Sequence, residues 1–287
     1  MNNPRPQTIL SIQSHVAYGY VGNRAAVFPL QRMGYDVIAI NTVQFSNHTG
    51  YGEWSGEVFS PDHIQEILEG IKKRGVKIDA LLTGYLGNGA IGDTILKAQN
   101  DFDIPLWLCD PVMGDTGRGF FVHEDIPGFF KNKACQNARI MTPNQFELCA
   151  LTGIHVDTPQ SALDACQVLH ERGVKTVIVT SYEYTGLAED KIAMLASSYD
   201  GHHYMVKTPK LKLEPPPNGA GDMISALILG HVLKGASLKN TLEHSAASIY
   251  GVFQKTFEIQ SRELAMIQAQ DEFISPQACF EAEAVSL

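Results

Sequence analysis

Ala138-Arg139-Ile140-Met141-Thr142-Pro143-Asn144-Gln145-Phe146-Glu147 holds the plan of the fold in a few residues. Ala138–Thr142 is short and largely apolar and runs into a proline, which reads as a buried strand and its exit. Asn144 then stands where a side-chain oxygen can cap a helix, and Glu147, one turn on, can return the bond to the cap. The same succession of apolar run, polar or glycine loop and helical stretch recurs on either side. Upstream the runs are Thr8–Gln13, Asp36–Asn41, Ile78–Thr83 and Leu106–Asp110; downstream there is Thr176–Thr180. Several are nearly continuous in apolar residues, as strands covered on both faces should be. Ser60 and Pro61 open a helix in which Ile64, Ile67, Leu68 and Ile71 form one stripe. Thr158-Pro159 opens another, with Ala162, Ala165, Cys166 and Leu169 facing inward.

After Thr180 the rhythm changes. Lys191–Ser198 and His202–Lys207 read as an antiparallel pair turned at Tyr199-Asp200-Gly201. A Pro- and Lys-rich loop follows, then helices expected from Asp222, Ser237 and Ser261. The helix at Asp222 is apolar nearly all round (Ile224, Leu227, Ile228, Val232, Leu233), so it should be central and buried. There is no internal repeat and no linker composition. The expectation is α/β: a mainly parallel central sheet flanked by helices, in one domain over residues 1–287.

The chain has 287 residues, of which 44% are hydrophobic and 18% charged, enough for a sizeable core. The net charge of −9 argues against nucleic acid or an anionic membrane as a partner. It says little about small anions, which local backbone amides can hold. No apolar run approaches the ~20 residues that span a bilayer, and the start MNNPRPQTIL is not a signal peptide. The five cysteines are scattered without CxxC spacing and read as reduced thiols, mostly in the core, of a cytoplasmic protein. The ten histidines show no zinc pattern, and His202 and His203 would point to opposite faces of a strand.

In an open parallel sheet, ligands bind beyond the carboxyl ends of the strands. The loops expected there are Ser14–Asn23, Thr42–Gly56, Thr83–Gly87, Cys109–Asp115, Thr142–Glu147 and Thr180-Ser181, all rich in polar residues and glycine. Any one is ordinary; the set describes a small-molecule site. The sharpest element is Asn218-Gly219-Ala220-Gly221-Asp222 ahead of the buried helix. Its amides can form an anion-holding concavity, and Asp222 can take a proton from a hydroxyl attacking a phosphoryl group. Asp222 as a plain helix cap is the competing reading. The element is neither GxxxxGK[ST] nor GxGxxG, so Walker-type NTPases and nicotinamide-dependent oxidoreductases lack their signature.

Asp110, Asp115 and Glu147 suit a hard cation beside nucleotide phosphates; equally, Asn144 and Glu147 can simply form a capping box. Ser14, Thr49 and Tyr85 are candidate contacts to a polar heteroaromatic ring, with Tyr85 or Phe45 as a stacking face. Cys109, Trp54 and Trp107 read as packing residues.

These segments, together with Val43-Gln44-Phe45-Ser46-Asn47-His48-Thr49 and Cys109-Asp110-Pro111-Val112-Met113-Gly114-Asp115, resemble the pyridoxal kinases of the ribokinase-like superfamily. The match runs in the family's order from about Thr8 through the helix at Asp222. The Gly-x-Gly-Asp element is common to the superfamily, whereas Ser14–Asn23 and Val43–Thr49 are particular to pyridoxal kinases. The resemblance implies ATP-dependent phosphorylation of the 5′-hydroxymethyl group of pyridoxal, and of pyridoxine and pyridoxamine. It implies Asp222 as general base and Gly219, Ala220 and Gly221 as the anion hole. Ser14, Thr49, Tyr85, Val21, Phe45 and His48 would line the vitamer pocket. Asp110, Thr142, Asn144, Glu147, Thr180, Ser181, Lys207, Thr208, Pro209 and Lys210 would surround ATP. Asp110, Asp115, Thr142 and Glu147 would serve Mg²⁺ and a monovalent cation, K⁺ or Na⁺. Family members are commonly homodimers.

Two departures stand out. Pro209–Pro217 is richer in Lys and Pro than a nucleotide-side loop of the family, and Phe121 stands where a Tyr is expected. The alternatives are a kinase for hydroxymethylpyrimidine-like alcohols and a non-catalytic vitamin B6 carrier; the intact Gly219–Asp222 element argues against the carrier.

Overall fold

The computed structural model describes residues 5–286. The strands, in chain order, are β1 (Thr8–Tyr18), β2 (Asp36–Asn47), β3 (Gly56–Val58), β4 (Ala80–Thr83), β5 (Trp107–Cys109), β6 (Gly114–Asp115), β7 (Gly119–Phe120), β8 (Ile140–Met141), β9 (Thr176–Tyr182), β10 (Lys191–Ser198), β11 (His203–Pro209) and β12 (Glu283–Ala284). Ten of them form one sheet in the order β12-β11-β10-β9-β8-β5-β4-β1-β2-β3, while β6 and β7 pair separately as a hairpin. From β2 through β9 the neighbours run parallel; the edges are antiparallel.

Alternate residues of the central strands serve opposite faces. Leu10, Ile12, Leu81, Cys109, Val177 and Val179 join one hydrophobic cluster, with side chains from the helices Pro61–Lys72, Ala90–Asp101, Gln145–Thr152 and Pro159–Arg172. Ile9, Leu82, Leu108 and Ile178 join the other, under Asn23–Arg32, Ala220–Leu233 and Leu238–Glu258. Burying both faces explains the unbroken apolar runs, since each fully buried aliphatic side chain contributes about 1.5–3 kcal/mol. Trp107 is buried against this core, and its indole N–H donates to Thr83 Oγ1 at 2.8 Å.

Several expectations need correction. β1 and β2 run on to Tyr18 and Asn47, past the ends at Gln13 and Asn41 that the apolar runs suggest. Past a register shift between Gln13 and His15, His15 lies opposite Gln44, Val16 opposite Phe45 and Tyr18 opposite Asn47. Ser14 and Phe45 are therefore strand residues, because ladder pairing satisfies the backbone whatever the side chains are. The segment from Ser261 forms turns, with a 3₁₀ turn only at Gln270–Phe273, although Leu264, Ala265 and Met266 are buried. Ile67 and Trp54 are exposed (38% and 48%), so neither packs in the core. His202 precedes its strand rather than belonging to it. Cys109, Cys135 and Cys166 are buried free thiols, whereas Cys279 is exposed. Among the described residues no helix is long and apolar enough to cross a membrane.

Candidate active site

The carboxyl ends of β1, β4, β5, β8 and β9 open on one edge, and the start of Ala220–Leu233 lies against it. Gly219 is the residue before that helix, with φ of 88°, and a Cβ there would fall inside the Tyr20 carbonyl. Only glycine fits such a turn. No side chain caps the helix, so the amides of its first turn are free of intrahelical partners.

Asp222 is the third helical residue, which sets aside its reading as the N-cap. Its carboxylate accepts from the Gly22 amide and from its own. A Cβ placed on Gly84 would stand 3.4 Å from its Oδ1, and the same position abuts Gln13. Burial among protein atoms pushes its pKa up to about 6, against the lowering pull of those amides. The floor beneath is built by side chains that sequence reading missed. Gln13 donates to Ser11 Oγ at 2.8 Å and Ser11 to Asn23 Oδ1 at 2.8 Å, while Asn23 Nδ2 donates to the Ile40 carbonyl and Asn41 Oδ1. Gln13 looks like an ordinary strand residue in sequence; only its place opposite Gly84 marks it.

Asp110 directly follows β5 and is buried. Desolvation, then the charges of Glu147 and Asp222, hold its carboxyl well above the usual range, with a hydrogen bond from Ser225 pulling the other way. Glu147 Oε1 accepts from the Met113 amide and Oε2 from the Asn144 amide, both at 2.9 Å. Asn144 Oδ1 accepts in return from the Glu147 amide, completing the capping box, and its Nδ2 donates to the Gly114 carbonyl. Burial pushes Glu147 up to about 8 even so. Thr142 Oγ1 is paired with Ser225 Oγ at 2.8 Å. Asp115 is exposed and accepts from the Thr116 amide.

Among the described residues no group of three or more His, Cys, Asp and Glu could hold a metal alone. Asp110 still suits a hard cation: it is a desolvated carboxylate facing two others. Mg²⁺ is commonly held by one or two carboxylates plus substrate phosphates, which fits such a sparse set.

Of the residues expected round a nucleotide, Thr180 is buried and bridges to Asn144, and Ser181 beside it has φ of 50°. Lys207, Thr208 and Pro209 lie on β11. Lys207 Nζ reaches Glu283 at 3.0 Å and Lys210 Nζ reaches Glu183 at 2.7 Å, so both ammonium groups rest on surface carboxylates.

Of those expected round the vitamer, Ser14 is buried against Gly22, where a Cβ would strike its carbonyl. Val21 flanks Gly219. Thr42 Oγ1 donates to the carbonyl of half-buried Tyr85, and burial raises the Tyr85 phenol. Phe45 meets Trp54 at 6.2 Å between ring centroids. Thr49 is exposed at the start of a 3₁₀ turn. His48 is buried, its Nε2 2.9 Å from Glu263 Oε1. Glu263 comes from the turn-rich segment beyond Leu238–Glu258; nothing in its local sequence marks it. A groove of about 580 Å³ lined by Ser46, Asn47, Glu53 and Trp54 lies at the outer strand edge, apart from Asp222.

Residues 29–266 match the family model described as phosphomethylpyrimidine kinase. The chain is 44% identical to the pyridoxal kinase PdxY of Deinococcus radiodurans, over 98% of this chain and 97% of the relative. It is 47% identical to that of Rubrobacter xylanophilus, over 97% of each. Among solved structures it resembles the pyridoxal kinase of Leishmania donovani in complex with ADP and pyridoxamine, at TM-score 0.89 and 28% identity, over 97% of this chain and 99% of the other.

Proposed function

This chain belongs to the pyridoxal kinase family, and from that membership we propose that it transfers the γ-phosphoryl group of ATP to the 5′-hydroxymethyl group of pyridoxal, pyridoxine and pyridoxamine. The observation that carries the reading is Asp222: a carboxylate with pKa raised to about 6, in the first turn of a helix whose N-cap, Gly219, offers no side chain. Asp222 takes the hydroxyl proton as the oxygen attacks phosphorus. The new O–P bond forms as the bond to the β-phosphate oxygen breaks, and ADP leaves. Gly219, Ala220 and Gly221 aim backbone N–H groups at the charge that develops, and Gly219 can turn there because it lacks a Cβ.

An ATP-using kinase works with a divalent metal such as Mg²⁺, which supplies charge neutralisation on the phosphates when bound. Asp110 would hold it. Glu147 acts behind Asp110, since amides already occupy both its oxygens. Thr142 and the Asn144 cap shape the same wall, and a monovalent cation, K⁺ or Na⁺, would add to the charge balance there. Asp115, being exposed, would act through water. Thr180 and Ser181 would meet the phosphates, with Lys207, Thr208, Pro209 and Lys210 along the nucleoside. Ser14, Val21, Phe45, His48, Thr49 and Tyr85 would line the vitamer side. Two hydrophobic clusters on the two faces of one sheet support reading the chain as a single domain. We read it further as a cytoplasmic homodimer with no nucleic-acid or membrane partner.

The test is a coupled ADP-release assay across the three vitamers, with Asp222→Asn alongside. Turnover should fall by about 10²–10⁴-fold in the variant while its far-UV spectrum and Tm hold. Near-normal kcat would remove Asp222 as base. Because the matching family model carries the pyrimidine name, hydroxymethylpyrimidine belongs in the panel; a higher kcat/KM for it would reassign the substrate.

A further inference from the structure

The Glu263 carboxylate draws together segments that lie far apart in sequence. Oε1 accepts from the Tyr51 hydroxyl at 2.7 Å and sits 2.9 Å from His48 Nε2; Oε2 accepts from the Tyr20 amide at 3.1 Å. Arg262, next in the chain, lays its guanidinium 3.7 Å from the Tyr51 ring centroid and donates to the Gly50 carbonyl. The carboxyl is held below the ordinary range: burial alone would raise it, but the hydrogen bonds from His48 and Tyr51 prevail. A carboxylate only accepts, so His48 Nε2 must carry the proton. In the neutral ring Nδ1 is then a bare acceptor. That atom is buried and has no hydrogen-bond partner. It lies on the side of Gly50 where the Asn218 amide also stands: a Cβ on Gly50 would be 2.9 Å from Nδ1 and 2.6 Å from Asn218 Nδ2. Asn218 opens the Gly219–Asp222 element.

We propose that Glu263 is a positioning residue for the alcohol substrate. It fixes the His48 imidazole as the Nε2–H tautomer and ties Tyr20, His48 and Tyr51 into one preformed wall, with Nδ1 held on the side of Asn218 and the Gly219–Asp222 element. The proposal rests on assigning this edge to the vitamer. A wall held in place before binding spares the substrate the cost of ordering it, so loosening the wall weakens substrate binding.

Steady-state kinetics with pyridoxal and ATP test it. Glu263→Ala should raise KM for pyridoxal by about tenfold, with KM for ATP and kcat within about twofold of wild type. Glu263→Gln, whose amide oxygen can still accept from His48, should recover most of the loss. In a His48→Ala background the Glu263→Ala change should add less than about twofold. Unchanged KM for pyridoxal, an equal rise for both substrates, or full additivity would overturn the proposal. Should Glu263→Ala fail to fold, Glu263→Leu, near in volume but with no acceptor for His48 Nε2–H, supplies the same cycle with and without His48→Ala. Long-range ¹⁵N–¹H correlation of the imidazoles, at a pH where free imidazole is neutral, reads the tautomer without turnover. The resonance that disappears in His48→Ala should show Nε2–H in wild type, and Nδ1–H there would refute the assignment. A wild-type protein that turns over no vitamer would refute the kinase reading instead, and the spectrum would still decide the role of Glu263.

Discussion

Asp222 and Glu147 are both acids in one site, yet their surroundings give them different work. Asp222 keeps a face toward the open edge, and its carboxylate is reached by the Gly22 amide. Glu147 spends both oxygens on the Met113 and Asn144 amides, so it holds loops in place rather than meeting the substrate hydroxyl. With Asp222 raised to about 6, the proposed base is ionised above that value and protonated below it. The kcat/KM for the alcohol should therefore fall about tenfold per unit as pH drops below ~6, and remain level just above it. A pH–rate profile taken at saturating ATP measures this; a flat profile across that range would separate Asp222 from the chemistry. At this scale sequence reading named Asp222, Gly219 and the Asn144–Glu147 box, because each has a local signature. It missed Gln13 and Glu263, whose importance lies in partners far along the chain.

The elements differ in how much of them is written locally. Pro61–Lys72 and Pro159–Arg172 begin with Ser60 and Thr158 accepting from the amide three residues on, and both starts were legible. The far halves of β1 and β2 were not, because Ser14–Tyr18 and Thr42–Asn47 interleave polar with apolar residues and their strand state comes from pairing with each other. Ser261–Phe273 looked helical, yet its apolar residues are drawn to the core by contacts with Thr256 and with the site. Helices Ala220–Leu233 and Leu238–Glu258 meet partly through His231 and His244, stacked 5.3 Å apart. Burial, then the His244 and Lys234 charges, lower His231 to about 4. A histidine whose pKa is lower in the folded state favours folding above its unfolded value of ~6.5 and loses that contribution as pH falls toward about 4. Urea midpoints should decline across that window, and His231→Phe should decline less; equal slopes would exclude His231 as the source.

The whole molecule is a sheet covered on both faces, and its middle strands carry the stability. Leu108 lies on β5 near the centre of the sheet and is fully buried. Leu108→Ala should cost about 2–5 kcal/mol in chemical denaturation, and it should lower activity through Asp110, two residues on. A loss below ~1 kcal/mol would mean that the cavity collapses easily. By itself the sequence determined the α/β class, the central strands, the capped helices and the glycine-rich turn ahead of Asp222, since each depends on neighbours within a few residues. The tertiary structure alone decided how β1 and β2 overhang the sheet, that Glu147 is already committed to backbone amides, and that Glu263 meets His48. Those outcomes follow from pairing and desolvation between distant segments. Local residue pattern carries no record of which groups will share a buried space.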